Sequence, residues 1–430
     1  MGFFKKKRVI TKKYLKLRGD PWGKKSIALV LEGMRLEPLD DLRFDFDPRI
    51  VEIIYLNGNY LKRISNLEHF KNLRVLWMGG NRIEKIENLE ALTELRVLDI
   101  NANQLTRIEG LESLEKLKKL ILNLNKIEKI EGLENLRELE ELILNSNRIK
   151  RIEGLDNLKK LRILLLEHNL IEEVPPLDSL ESLEELYLNE NLIKSMDLGR
   201  MPNLKRLELT HNLMREIQGF DGLENLRELD LLSNKIRKIS NLGLLRKLIY
   251  LRIRNNNFLS RIENLNSLEN LRSLDLSGNN ISKIENLDSL EGLASLILGK
   301  NFIKRIENLD DLQELISLDL DHNYIKRIEN LENLKNLKSI NLEGNEIKRI
   351  ENLEHLKVLR RLNLSDNPII CLDGIENLVN LEYLFLKSLE IDNLEPLKNL
   401  RKLEYLDLKD TLIKDMSSLE AIKHVEYVHM

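Results

Sequence analysis

The sequence predicts an α/β-type solenoid, a right-handed coil of similar turns with a concave parallel β-sheet and a convex side of 3₁₀ turns and extended segments. Two observations predict this fold. Asn returns almost every 22 residues between Asn59 and Asn367, and Leu-x-Leu or a close variant stands just before each copy. A fixed period of this length is typical of solenoids, in which each unit buries its apolar face only against its neighbours. Such a chain is mainly a surface for holding another molecule.

The unit between Asn279 and Asn301 shows how one turn is built. Its apolar residues are three positions apart, at Ile281, Ile284, Leu287, Leu290, Leu293 and Leu296. This spacing matches neither an α-helix nor a coiled coil, and a three-residue repeat suits short 3₁₀ turns. Only Leu296-x-Leu298 alternates as a half-buried strand should, so each unit is expected to contribute one short strand. Strands that recur with one polarity form a parallel sheet with right-handed crossovers.

The Asn column has a predicted structural role. An Asn amide both donates and accepts hydrogen bonds, so stacked copies can satisfy the backbone of the turns on either side where the chain leaves each strand. Leu389 and Thr411 replace Asn in the last two units, but the apolar period continues. The coil is therefore expected to run to Met430.

Three regions are predicted along the chain. Residues 1–25 hold ten Lys or Arg and one acid, Asp20, so they are expected to form a basic N-terminal arm outside the core. Residues 26–58 have the pattern of a cap and a degenerate first repeat. Residues 59–430 then form about 17 solenoid units without an obvious C-terminal cap motif.

Composition indicates a cytoplasmic protein. Cys371 is the single cysteine, so the chain can form no intrachain disulfide. The N-terminal segment lacks the long apolar stretch of a signal peptide, and no uncharged run reaches membrane-spanning length. Charged residues make up 32% of the chain, and basic pairs such as Lys304-Arg305 precede an acid two places on, Glu307. These columns predict a solvated ion-pair lattice, which as isolated surface pairs would stabilise the fold only slightly.

Two phrases carry a resemblance to a known family. Lys129–Leu136 reads Lys-Ile-Glu-Gly-Leu-Glu-Asn-Leu, and Arg349–Glu354 reads Arg-Ile-Glu-Asn-Leu-Glu, both on the period of 22. They resemble the leucine-rich repeats of the class typified by a regulatory subunit of type-one protein phosphatase, over roughly residues 27–430. The resemblance implies a binding scaffold whose partner lies on the concave face. It also implies regulation of a partner enzyme such as a phosphatase or a GTPase.

The concave face can be identified from strand alternation. The residue between the two apolar strand positions points away from the core, and a second column lies two residues earlier. The first half of this face is predicted to be mainly apolar, the middle polar and the end aromatic. The predicted partner-binding residues are Tyr55, Val75, Trp77, Asp99, Ile121, Ile143, Ile163, Leu165, Tyr187, Asp230, Arg252, Tyr383, Phe385 and Tyr405.

Two interpretations of these columns remain open from sequence. Aromatic and β-branched neighbours across strands stabilise a sheet without binding anything. However, contiguous exposed apolar patches usually mark interaction sites, and Tyr and Trp are typical anchors of interfaces. Binding is favoured for the first patch, whereas the aromatic patch fits both interpretations equally.

Catalysis is not predicted, because the sequence lacks a phosphate loop, a nucleophile motif and a cluster of metal ligands. No cofactor, metal or small-molecule substrate is expected. Two further partners are open alternatives to a protein on the concave face. A nucleic acid or an anionic membrane could bind the basic arm through Lys5, Lys6, Lys7, Arg8, Lys12 and Lys13. A second copy of the chain could pair with the C-terminal strand edge, forming a homodimer.

Overall fold

A computed structural model describes residues 8–413 and 419–430, with only the backbone at Arg8. The chain divides into two compact units, Met1–Leu213 and Met214–Met430. Each unit is a parallel β-solenoid in which one short strand per turn joins a sheet, so the predicted fold class is confirmed.

The described part of the first unit, residues 8–213, contains two 3₁₀ helices, Lys12–Tyr14 and Pro48–Ile50, and fourteen strands. The strands are β1 (Arg8–Ile10), β2 (Leu15–Gly19), β3 (Lys25–Val30), β4 (Leu42–Phe44), β5 (Ile53–Tyr55), β6 (Val75–Trp77), β7 (Val97–Asp99), β8 (Lys119–Ile121), β9 (Glu141–Ile143), β10 (Ile163–Leu165), β11 (Glu173–Val174), β12 (Glu185–Tyr187), β13 (Ser195–Met196) and β14 (Arg206–Glu208). From β3 onward the main sheet is parallel, in the order β3, β5 to β10, β12 and β14. The pairs β1–β4 and β11–β13 form two small parallel sheets.

The second unit repeats the same plan. Its strands are β15 (Glu228–Asp230), β16 (Tyr250–Arg252), β17 (Ser273–Asp275), β18 (Ser295–Ile297), β19 (Ser317–Asp319), β20 (Ser339–Asn341), β21 (Arg361–Asn363), β22 (Tyr383–Phe385), β23 (Tyr405–Asp407) and β24 (Tyr427–His429). Neighbours in this order pair in parallel. Two 3₁₀ helices, Glu395–Leu397 and Glu420–Ile422, lie near its end. Strand β18 begins one residue before the predicted Leu296-x-Leu298 segment.

The three-residue apolar spacing corresponds to consecutive tight turns. Between Asn279 and Asn301, the backbone N–H of Leu290 donates to the carbonyl of Leu287, at 2.9 Å between N and O. The N–H of Leu293 donates to the carbonyl of Leu290 at 2.8 Å. Hydrogen bonds from residue i to i−3 define the 3₁₀ geometry and bring every third side chain to the same side. These leucines are fully buried. The prediction of 3₁₀ turns opposite the sheet is confirmed.

The Asn column bonds the backbone as predicted, but in one direction along the coil. Asn147 Nδ2 donates to the carbonyl of Leu144 in its own turn at 2.9 Å and to that of Leu122 in the preceding turn at 3.0 Å. Its Oδ1 accepts from the N–H of Ile127, also in the preceding turn, at 3.0 Å. The expectation of bonds to both neighbouring turns is therefore wrong, because the bonds of this amide go to its own turn and the preceding one. At Thr411 the hydroxyl donates only to Leu408, in its own turn.

A second column of Asn or Gly lies on the convex side. Asn88 has φ of 58°, and its Nδ2 donates to the carbonyl of Ile64 at 2.8 Å. In the next turn Gly110 takes this place with φ of 67°, where an added Cβ would lie 2.4 Å from the carbonyl oxygen of Ile86. Left-handed backbone favours Gly and tolerates Asn. The Ile-Glu-Asn/Gly-Leu phrase therefore encodes a turn.

The basic N-terminal segment is folded where the structure describes it, which differs from an arm outside the core. Ile10 of β1 is fully buried, and β1 pairs with β4. Strand β2 pairs antiparallel with β3 and extends the main sheet. Alternating apolar residues allow this, because Leu15 lies opposite the buried Leu29. Residues 1–7 lie outside the described part of the chain, and the division at residue 25 stays a prediction.

We expect Asn147→Ala to lower the free energy of unfolding by about 2–3 kcal/mol, because it leaves buried carbonyl and N–H groups without partners. Chemical denaturation followed by circular dichroism measures the change. Asn135→Ala is the control, because Asn135 is exposed and makes one bond, to the carbonyl of Glu112. Equal destabilisation by the two variants would show that the buried column does not hold the turns together.

Candidate functional site

The concave face of the first unit carries the predicted column of large side chains. Tyr55, Trp77, Ile121, Ile143 and Leu165 occupy equivalent strand positions, and all keep part of their surface exposed. They follow each other in register on neighbouring strands, with Asp99 between Trp77 and Ile121. Ile163, two residues before Leu165, is also half-buried and faces the same side.

Val75 differs from its predicted place on the binding surface. It is fully buried in a cluster with Ala28, Ile53 and Val97, against which Val30, Tyr55 and Trp77 pack. Val75 and Trp77 lie on the same face of the strand, and the larger side chains that pack against this cluster help to cover it. A partner at this end would therefore contact Tyr55 and Trp77.

The β2–β3 hairpin borders this apolar surface. Lys16 and Arg18 of β2 lie opposite Ala28 and Ser26, and directly paired residues project from the same face of a sheet. Both cations are exposed. In the hairpin turn, the ring of Trp22 lies 5.8 Å from the guanidinium of Arg96, the residue before β7. The sequence did not predict this contact, because nothing local shows how far the hairpin reaches.

Asp99 is the most buried acid of the column in this unit, with 6% of its surface exposed. Its Oδ1 accepts from the backbone N–H and the Nδ2 of Asn101, at 2.8 and 2.6 Å. Burial raises the pKa of Asp99 despite these bonds and the positive charge of Lys119. The carboxylate thus interrupts the apolar stretch that the sequence predicted.

Further along, the column becomes polar and networked. The hydroxyl of Tyr187 donates to Glu185 at 2.6 Å, and the Arg206 guanidinium lies 5.5 Å from the Tyr187 ring centroid. Burial and the neighbouring Glu185 raise the pKa of Tyr187. Arg206 also bonds Glu208 at 2.6 Å. Tyr187 is thus held in place by charged neighbours, which its strand position alone did not reveal.

A third column, two residues after the first, was missed from sequence. Asn189 Nδ2 donates to Glu167 at 2.6 Å and to Glu208 at 2.8 Å, and Asn145 Nδ2 donates to Glu167 at 2.8 Å. These bonds connect neighbouring turns along the ends of the strands. The polar residues recur at the same interval as the ladder Asn, and that period is the signal that could have identified them.

In the second unit the predicted residues form two separate groups. Arg252 Nη1 lies 2.5 Å from Asp230, so these two make an ion pair on adjacent strands. Near the end, Tyr383, Tyr405 and Tyr427 align in register on β22, β23 and β24. The Phe385 and Tyr405 rings are 5.3 Å apart, and Arg361 lies 4.7 Å from the Phe385 centroid. The aromatic patch is therefore assembled as the strand positions predicted.

The predicted polyanion-binding residues are only partly covered by the structure. Lys12 and Lys13 are exposed in the first 3₁₀ helix, with the Lys13 ammonium 5.0 Å from the Tyr14 ring centroid. Lys5, Lys6 and Lys7 lie outside the described residues, and the side chain of Arg8 is likewise not described.

Ion pairs between turns line the start of the strands in the first unit. Glu184 accepts from Arg162 at 2.9 Å and from Lys205 at 2.8 Å. These two cations lower the pKa of Glu184 to about 2. The charge columns predicted from sequence contribute separate links between consecutive turns, as where Arg305 Nε donates to Glu329 at 3.0 Å. Such exposed pairs are worth little individually.

Within residues 8–413 and 419–430, no group of His, Cys, Asp and Glu is arranged to hold a metal ion. In the same part of the chain, no helix has the length and apolar character needed to cross a membrane.

Family models of leucine-rich repeats match more than half of the chain. A model of two leucine-rich-repeat copies matches residues 51–91, 93–135, 137–179 and 202–244, and two further leucine-rich-repeat models match residues 315–369 and 270–296. The chain belongs to the leucine-rich-repeat proteins. No curated protein matches it in sequence.

Solved structures agree with this family. A leucine-rich-repeat protein of Leptospira interrogans is 26% identical with a TM-score of 0.74, over 89% of this chain and 96% of that one. An internalin of Listeria monocytogenes is 24% identical with a TM-score of 0.53, over 80% and 90%. The ectodomain of the Arabidopsis thaliana receptor kinase GASSHO1/SCHENGEN3 is 22% identical with a TM-score of 0.54, over 96% and 59%. The last two likenesses show the fold alone, and none of these matches bears on the predicted likeness to a phosphatase subunit.

We expect Asp99→Asn to stabilise the protein at neutral pH. Because burial raises the pKa of Asp99 above its ordinary value of 3.8, the folded state holds the charged form at a cost above its folded-state pKa. Wild-type stability should therefore rise as pH falls toward 3.8, and the advantage of the variant should disappear below it. Urea unfolding across this pH range measures the difference.

Asp156→Asn, at an exposed site, is the control for this titration. A less stable Asp99→Asn protein at neutral pH would mean that the bonds from Asn101 outweigh the cost of burial.

Proposed function

We propose that the protein is a non-catalytic scaffold that binds another protein on the concave face of its first unit. One observation supports this most directly: Tyr55, Trp77, Ile121, Ile143 and Leu165 keep exposed apolar surface in register along one sheet, with Asp99 of β7 between Trp77 and Ile121. Exposed contiguous apolar surface with aromatic anchors is typical of protein interfaces.

Membership of the leucine-rich-repeat family favours the same function, because these proteins are generally interaction scaffolds. The receptor ectodomain compared above was solved in complex with CASPARIAN STRIP INTEGRITY FACTOR 2, and the likeness to it extends to the fold only. Regulation of a partner enzyme, such as a phosphatase or a GTPase, is the specific form that we propose from the resemblance of the repeats. A cytoplasmic location and a homodimer through the edge of β24 stay predictions.

Replacing Trp77 and Tyr187 together by Ala should weaken binding of the partner by about 2–4 kcal/mol, because hot-spot aromatic residues carry much of the energy of an interface. Both side chains are half-buried at the surface, so the double variant should keep the fold. Capture of partners from native lysate, followed by affinity measurement with the protein identified, provides the test.

Phe302→Ala is a matched control for this variant, because Phe302 is exposed, stacks on Tyr324 at 5.8 Å and lies outside the strands. Unchanged capture by Trp77→Ala/Tyr187→Ala would exclude this part of the concave face as the contact.

A second candidate function is binding of a polyanion or an anionic membrane surface by the basic N-terminal segment. It is favoured by Lys12, Lys13, Lys16 and Arg18, which are all exposed on two consecutive elements. Clustered cations bind phosphate groups without sequence specificity and release counterions on doing so.

Charge reversal of Lys12, Lys13, Lys16 and Arg18 to Glu should move elution from heparin to clearly lower salt, because fewer counterions are released on binding. The control reverses Lys150 and Arg151, an exposed basic pair in another turn. Retention on phosphatidylserine vesicles distinguishes a membrane surface from a nucleic acid. Identical elution of wild type and the fourfold variant would reject a role for these cations.

A further inference from the structure

Asp99 is placed where a partner on the proposed surface would meet it. Its strand neighbours in register are Trp77 on β6 and Ile121 on β8, both with exposed apolar surface. The carboxylate therefore lies between two apolar side chains of this surface. Its two hydrogen bonds, both from Asn101, go to a single oxygen, Oδ1.

Some other acids of this concave column are paired with cations. Glu208 bonds Arg206 at 2.6 Å, and in the second unit Asp230 pairs with Arg252. Among the described residues Asp99 has no such partner. The nearest cation on the neighbouring strand, Lys119, instead forms an ion pair with Glu141 of the following strand. The carboxylate of Asp99 is thus nearly buried, and its hydrogen bonds come only from neutral N–H groups of Asn101.

A carboxylate in this setting lowers the stability of the free protein and strengthens a complex with a cationic partner. Taking a charge out of water without a counter-charge destabilises a fold, which agrees with the raised pKa of Asp99. The same desolvated charge binds a partner cation more strongly than an exposed one would. Trp77 adds to this preference, because an indole ring attracts a cation and also packs against the methylene stem of a long basic side chain.

We propose that Asp99 is the anchor for a lysine or arginine side chain of the partner protein, whose stem lies across Trp77 and Ile121 and whose cationic head bonds the carboxylate. This inference rests on the proposed function, because it specifies the chemistry recognised by the same concave face. The partner contributes a basic residue flanked by apolar residues. A neutral hydrogen-bond donor at this position is the competing occupant.

The test uses the full-length protein and a displayed library of random linear peptides. Peptides that bind the wild type and fail to bind Trp77→Ala define ligands of this surface. They are expected to share a Lys or Arg. Each is then resynthesised with citrulline in place of Arg or norleucine in place of Lys, which removes the charge and keeps most of the stem.

On the wild type, loss of the charge should weaken binding at least about tenfold, as truncation of a buried charge pair does. On Asp99→Asn the charged and neutral peptides should bind alike, because the coupling between the two charges is gone. Asp319→Asn is the matched control: Asp319 has the same strand position in β19, and burial raises its pKa too, but Ile297 and Asn341 flank it. This control should behave as the wild type does.

Three outcomes would contradict the inference, and they separate it from the proposed function. If Trp77-dependent peptides lack a shared basic residue, the proposed role of Asp99 is wrong. The same holds if removing the peptide charge weakens binding equally on the wild type and on Asp99→Asn. In both cases the proposed binding face is still supported. If neutral and charged peptides bind the wild type alike, a neutral donor occupies the site. If no peptide depends on Trp77, the proposed binding face and the anchor both fail.

Discussion

The fold depends on one recurring interaction, the hydrogen bonds of the buried ladder Asn side chains to the backbone. At the end of every strand the chain turns inward and would leave N–H and carbonyl groups unpaired among leucines, which is costly. Asn147 satisfies two carbonyls and one N–H at once, and it ties its own turn to the preceding one. Together with the backbone bonds of the short strands and the side-chain bonds on both faces, the ladder makes neighbouring turns stack in a fixed register.

This constraint explains which features of the fold could be predicted from the sequence. The period, the strand in each turn and the three-residue spacing all follow from the Asn and Leu positions, and the structure has them. The residue before each ladder Asn adopts a left-handed backbone, as at Ala102 and His168. Since residue types as different as Ala and His occupy this place, no composition signal marks it. The N-terminal hairpin was missed for another reason: its basic composition concealed the alternation of Leu15 and Leu17 beside a sheet edge.

The sequence predicted which face of the sheet carries the candidate site residues. It did not predict how exposed their side chains are. Strand alternation correctly assigned Tyr55, Trp77 and Ile121 to the face opposite the core. It could not show that Val75 is covered, because coverage depends on the sizes of the neighbours on adjacent strands and on the added strand β3. The low exposure of Asp99 has the same origin, since Trp77 and Ile121 flank it from different turns. Exposure on a solenoid face is set across turns, which are far apart in sequence.

A division of roles between columns follows from this architecture. Hydrogen bonding and packing within the turns require the ladder Asn and the core Leu. They do not constrain the concave positions, whose residue types can therefore differ between repeats. At a core position, the packing of the turns could require a destabilising residue. Asp99 instead lies at a concave position where Ile or Asn would also fit, as at Ile121 and Asn341. A desolvated charge at a position with such freedom is better explained by binding than by folding, because at neutral pH a cation from a partner would offset its cost.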